Sequence, residues 1–564
     1  MDERKRMKET TLETIGTNCN TADIDGVNYE DEVFIPITEE NYLEVIPEFC
    51  QSMYQHNMSS EEVPAENSDK YMDELQELLR QLPRPYTIVQ EIYYIDRSFR
   101  DTYYTYFSNQ HFDIKRYSRR LSLIGRIVTR EDFFSKDEAL QADIASKFWG
   151  ACVINPLSVG VIGRTLISPQ QILSVADKPV YMRLSDFVLH VYGKKFRVSA
   201  FPYRMQDGET MRCTEVTLLN LLEYYSNSYQ DYRKAVPSEI LDSEQKHHHE
   251  RVLPSRGISY PMLSKILYEF GFSPRLYSYT EFKRYALSKL TQEDELKRLL
   301  FYYIESGIPV ALNLQPAGSR EVGHSIVCIG HGCKKVKLTR KAKKNKWITW
   351  SNRDTAHPMI DAADYYNEFV VVDDNQPVYQ VRGFDQLSLY PDMRVESIAV
   401  PLYKRMFLDA PDAAAIMRSI LYHEELGIDK WTNGYLVPGE DVVIRMFMAS
   451  SHSLKDFRTK TLKDLNAREA YGIVPMPRFV WVCEIYRECD YDDVTNAMAF
   501  GEIVIDATSA SGAIGNPRSL IIMHYPHVLG LRFPDETGSE LDQMIELDED
   551  DLFPAFSKNL DVIG

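Results

Sequence analysis

With 564 residues, 44% of them hydrophobic, 26% charged and a net charge of −19, the chain has the composition of a globular protein of two to four domains. The acidic balance excludes a general nucleic-acid binder, because phosphate recognition needs a basic face. No apolar run approaches the roughly 18 to 20 residues that a membrane span needs, so no membrane partner is expected.

The opening "MDERKRMKETTLETIGTNCN" carries charge but no apolar core of a secretory signal. Eight cysteines are sparse and irregularly spaced, as in reduced cytoplasmic proteins. Residues 1–70 are polar and acidic apart from "DEVFIPI" and are expected to form a partly disordered arm. An N-terminal α+β unit is expected over 71–198: the amphipathic "YMDELQELLRQL", the strand "RPYTIVQEIYYI", an aromatic-rich helical stretch, then short strands broken by Gly and Pro. The 36 tyrosines suit such half-buried, strand-rich surfaces. Residues 401–564 alternate a helix rich in Ala and Leu with strands such as "VVIRMFMA" and "RFVWVCEIY", a third unit of α/β type that closes in the acidic "ELDEDDLF".

Chemistry concentrates in residues 199–400. In "QDGETMRCTEVTLLNLLEYYSNSY" a helix begins at Cys213 or Thr214 and is apolar on most of its circumference, hence buried. A cysteine at a helix N-terminus sits among unpaired N–H groups that favour a thiolate and can also stabilise an oxyanion. A buried structural cysteine is the bland alternative. The helices "RGISYPMLSKILYEFGF" and "EDELKRLLFYYIESG" follow, then the strands "IPVALNL" and "GHSIVCIG", with His324 at the start of the latter. Another strand, "NEFVVVDDNQPVY", stops at Asp373 and Asp374.

Five stretches carry a resemblance: "RCTEVTLLNLLEYYS", "ISYPMLSKILYEFGF", "ESGIPVALNL", "GHSIVCIGHG" and "FVVVDDNQP". In this order they resemble papain-like cysteine peptidases of the C39-like branch, over about 200 residues. The Cys-Gly-Ser-Cys-Trp signature of papain itself is missing. The resemblance implies an α+β fold class, a central papain-like hydrolase domain flanked by N- and C-terminal α/β units. It implies Cys213 as nucleophile, His324 as general base, and Asp373 or Asp374 as the carboxylate that orients the imidazole. Gln206, seven residues before Cys213, stands slightly further away than the family's oxyanion-hole glutamine. Adjacent aspartates face opposite sides of a strand, and Asp374 is the better candidate for capping the turn at Asn375, which favours Asp373 as orienter. His331 is expected in the turn beyond its strand, as a solvated residue.

The implied protein is a cytoplasmic, bacterial, multidomain thiol hydrolase that cleaves a peptide, isopeptide or amide bond of a protein or peptide substrate, with no cofactor or metal. A non-enzymatic binding or regulatory protein on a degenerate papain-like domain is the alternative. Oligomeric state stays open. The run His247–His249 lacks ligand spacing for a metal. The basic block "KKVKLTRKAKKNKW" is expected as a solvated hairpin or, more sharply, a partner-binding loop near the site.

Overall fold

Five antiparallel strands open the described chain and pair with one another in sequence order: Phe34–Ile37, Tyr86–Tyr94, Ser118–Ile124, Phe148–Ile154 and Ile162–Ile167. This is a computed structural model, and the residues described are 32–57, 72–111, 114–157, 159–279, 290–316, 323–348, 356–390, 392–432, 434–509, 519–533, 541–547 and 552–564. A hairpin, Ser185–Val191 with Lys194–Ala200, closes over one face of the sheet. Its first strand alternates strictly, with Phe187, Leu189 and Val191 inward. Phe148 and Phe196 stack at 4.5 Å in the core between them.

The expected disordered arm needs correction within residues 34–53. Phe34–Ile37 is the edge strand of this sheet, and the helix Tyr42–Asn57 buries Ile46, Phe49, Cys50 and Met53. Those four positions have the i, i+3, i+4, i+7 spacing of an amphipathic helix, and their burial outweighs the acidic surroundings. Residues 1–31 and 58–70 of the arm lie outside the described residues.

The central sheet runs Gln380–Gly383, Glu368–Val372, His324–Gly332, Val310–Pro316, Met393–Val400, Arg275–Ser278, all antiparallel. Neighbouring units enter it. Val180–Met182 pairs with Gly330–Gly332, and Asp561–Ile563 pairs with Val180–Met182 in turn. A Cβ on Gly330 would lie 2.1 Å from the Tyr181 carbonyl oxygen, so this close approach of two backbones needs glycine. The exchange is mutual: Met359–Asp361, from between the histidine and aspartate strands, forms the edge of the third sheet. One continuous core runs through all three units.

The third sheet orders Met359–Asp361, Val442–Ser450, Phe479–Arg487, Gly501–Asp506, Leu520–Tyr525, Val528–Leu531 and Gln543–Glu546. Apart from the first pair its ladders are antiparallel. The expected α/β character of the C-terminal unit is therefore corrected: its successive strands pair antiparallel rather than through parallel crossovers, and the chain is α+β throughout. Among the described residues no helix is long and apolar enough to cross a membrane.

A buried charge network joins the central and third sheets. Arg445 reaches Glu305 at 3.0 Å and Glu484 at 2.6 Å, and Arg458 reaches Glu484 at 2.5 Å and Glu502 at 3.1 Å. His331 belongs to it, with Nε2 2.7 Å from Glu305. Sequence reading put His331 in a solvated turn; the strand in fact runs on to Gly332 and His331 is completely buried.

The basic block also departs from the solvated hairpin or partner-binding loop expected of it. Residues 340–346 form a short helix, two of whose lysines, Lys343 and Lys346, are taken up by carboxylates from elsewhere in the fold. Lys343 meets Asp441 at 2.9 Å and Glu488 at 2.5 Å, while Lys346 meets Asp294 at 2.7 Å and the buried Asp364 at 3.4 Å. It is a bracket between the central and third sheets and lines no part of the cleft described below.

Candidate active site

The nucleophile position begins with a loop that is tied before the helix starts. One carboxylate oxygen of Asp207 accepts the backbone N–H groups of Glu209, Thr210 and Met211 at 2.9, 2.6 and 2.9 Å. This is the local hydrogen bonding that aspartate offers a turn. Arg212 follows with extended backbone as N-cap, and the helix Cys213–Ser228 opens on Cys213 itself. Arg212 provides no side-chain cap. Glu215 instead reaches back to the Arg212 backbone, half of a capping box. From Thr214 to Tyr225 every residue of the helix is buried. Cys213 is partly exposed at its mouth.

His324 opens the central strand against which this helix packs. One residue along, Ser325 Oγ donates to Thr217 Oγ1 at 3.1 Å, and Thr217 lies one helical turn beyond Cys213. Tyr260 shares a 3.1 Å hydrogen bond with the same serine. Helix and strand are thus locked together immediately beside Cys213 and His324.

The aspartate strand pairs with the histidine strand in a register that sets Val372 opposite Val327. The chain then leaves the ladder, and Asp373 Oδ1 lies 2.7 Å from His324 Nε2. The same oxygen accepts the Asn375 backbone N–H at 3.0 Å. The turn is therefore capped by Asp373, which also holds the imidazole, and not by Asp374 as turn preference suggested. Asp374 stands 3.7 Å from His324 Nε2, and neither of its carboxylate oxygens has a hydrogen-bond partner.

Electrostatics follow from this packing. Burial works against charge on His324, but hydrogen bonds to Asp373 and to Cys213, with both aspartates adjacent, outweigh it and raise the imidazole to about 11. With Nε2 committed to Asp373, Nδ1 is the nitrogen left to face the thiol. Burial pushes Asp374 up to about 7, opposed by His324 and reinforced by Asp373. His324, Asp373 and Asp374 have ligand atoms within 4.8 Å of one another, a spacing compatible with a metal ion. Asp373 Oδ1 is already shared by the imidazole and a backbone N–H, so a metal there would have to break the His324–Asp373 contact.

A cleft of about 1060 Å³ lies in front of these groups, lined by Gln206, Cys213, His324, Asn375, Tyr260 and Tyr390 among others. The structure thus brings all five positions singled out in the sequence, Cys213, His324, Asp373, Asp374 and Gln206, to one place. Two contributors went unrecognised. Asn375, read as a turn residue, accepts from Gln206 Nε2 at 2.9 Å. Tyr390 sets its ring edge-to-face with the His324 imidazole, 5.7 Å between centroids. The Asn directly behind the aspartate pair was the available signal for the first; Tyr390 had none.

A thiol, an imidazole between thiol and carboxylate, and an amide donor beside the thiol are together equipped for acyl transfer. A scan against protein-family models and a search of curated proteins each find no match for this chain.

Proposed function

We propose that the protein is a papain-like thiol hydrolase that cleaves an amide or peptide bond through an acyl-enzyme on Cys213. The observation that carries this reading is the position of His324, hydrogen-bonded to Asp373 at 2.7 Å and lining one cleft together with Cys213 at its helix start. The Cys213 thiol gives its proton to His324, and the sulfur attacks the substrate carbonyl carbon. The oxyanion is met by the Gln206 amide and by N–H groups at the start of the helix. Collapse of the tetrahedral intermediate expels the amine, which takes the proton from His324. Water, deprotonated by His324, then hydrolyses the thioester and frees the acid. Asp373 keeps the ring oriented throughout. A cleft of this size supports an extended peptide segment as the substrate class.

The test uses p-nitrophenyl acetate, a generic acyl donor. Nitrophenolate release with a trapped acetyl group on Cys213, abolished by Cys213→Ala, is the expected result. Failure to acylate Cys213 in the folded protein would favour the reading of a binding protein on a degenerate scaffold.

A further inference from the structure

Gln206 and Asp373 act at opposite ends of the reaction, one on the oxyanion and one on the base, yet they share a neighbour. Asn375 accepts from the Gln206 side-chain amide at 2.9 Å and donates its own backbone N–H to Asp373 Oδ1 at 3.0 Å. Its side-chain N–H group reaches toward the Tyr390 hydroxyl at 3.5 Å. Both Gln206 and Asn375 line the cleft beside Cys213 and His324.

A glutamine side chain has three rotatable bonds, and holding it still costs rotamer freedom. An oxyanion donor helps most when that freedom is lost before the reaction begins. A primary amide carries two N–H bonds. Asn375 takes one of them and leaves the other for the cleft.

Resting on the thiol-hydrolase reading, we infer that Asn375 is a positioning residue: its side-chain carbonyl fixes the Gln206 amide as a preset oxyanion donor, while its backbone holds the orienting carboxylate. One residue thus sets the distance between the two halves of the machinery. The side-chain function is separable from the backbone one, because substitution at 375 removes the carbonyl and keeps the N–H.

Two reagents read the two functions apart. Iodoacetamide alkylates a thiolate without forming an oxyanion; acylation by p-nitrophenyl acetate passes through one. In Asn375→Ala, acylation of Cys213 is expected to fall about 10- to 100-fold, within the range for a lost or misplaced oxyanion donor. Alkylation of Cys213 should stay within about 2-fold. Gln206→Ala should show the same selective loss, and the double variant should be no slower than Gln206→Ala alone, as for residues acting through one another. Asn375→Asp, which keeps an acceptor for the Gln206 amide, should recover most of the acylation rate. Equal loss with both reagents, no loss of acylation, or additive losses in the double variant would overturn the proposal. Failure of wild-type Cys213 to react with either reagent would instead remove the hydrolase reading beneath it.

Discussion

The two walls of the cleft are built differently. His324 and Asp373 stand on neighbouring antiparallel strands of the central sheet, where backbone register fixes their separation. Gln206 and Cys213 stand on a loop and a helix start, and the loop is tied to another unit. Tyr203 bridges Thr165 of the first sheet, and Met205 N donates to Ile162 O at 2.9 Å. Gly160, at φ +68°, lets the N-terminal unit come so near that a Cβ there would sit 2.3 Å from the Gln206 carbonyl oxygen. The base side is intrinsic to the central sheet. The loop and helix side is assembled by contact between units, so the N-terminal sheet is part of the frame of the candidate site.

The largest expected effect falls on the sheet-built wall. Asp373→Asn should lower acyl turnover by about 10³- to 10⁴-fold, because the amide favours the wrong imidazole tautomer. Asp374→Asn, which breaks no hydrogen bond, should cost less than about 10-fold. Equal losses at both positions, measured as nitrophenolate release, would show that the 2.7 Å contact is not the orienting one.

A smaller and more selective effect is expected on the loop-built wall. Gly160→Ala places a methyl group against the Gln206 backbone and forces a side-chain-bearing residue into positive φ. Acylation should fall more than iodoacetamide alkylation, with a stability loss of at least about 1 kcal/mol in denaturant melts. If both rates hold, the N-terminal unit does not set the oxyanion side.

The basic bracket sharpens the contrast by lying away from both walls. Replacing residues 334–346 with a Gly/Ser turn removes the ion-pair partners of Asp441, Glu488 and Asp294 and one of two ion-pair partners of the buried Asp364. A loss of about 2 kcal/mol or more is expected, with Cys213 alkylation unchanged. Stability unaffected within about 0.5 kcal/mol would return the segment to an ordinary surface loop.

The smallest effect is a pH dependence. The Asp374 carboxyl is raised to about 7 in the fold, above its value of about 4 in an unfolded chain. A raised carboxyl makes the folded state bind the proton more tightly, so its contribution is present below about pH 4 and lost as pH rises through 7. Asp374→Asn should therefore raise Tm at pH 8, with the gain shrinking as pH approaches 4. A gain that grows toward acid would reverse the assignment.

What was legible in the sequence was local. The helix opening at Cys213, the glycine before His324 and the carboxylates ending a Val-rich strand are all readable from punctuation and hydrophobic runs. What was not legible depended on partners far along the chain. His331 looks like a loop residue until Glu305 and Arg445 are placed beside it, and the lysines look solvated until Asp441 and Glu488 arrive. Asn375 was hidden by its own plausibility, since a turn after a strand already explained it. The helix at residues 42–57 had readable spacing, but the acidic surroundings masked it.

If Cys213, His324 and Asp373 form one working unit, brief iodoacetamide treatment at neutral pH with peptide mapping reads it out at the thiol itself. Burial pushes Cys328 and Cys152 up to about 12, and Cys50 and Cys483 also lie raised in the core. Cys333 is held at about 12 as well. Cys213 should be modified first among the eight cysteines, and His324→Ala should slow its reaction at least about 100-fold while leaving the others unchanged. Early modification of Cys19 or Cys489 with Cys213 inert, or a Cys213 rate indifferent to His324, would contradict the account.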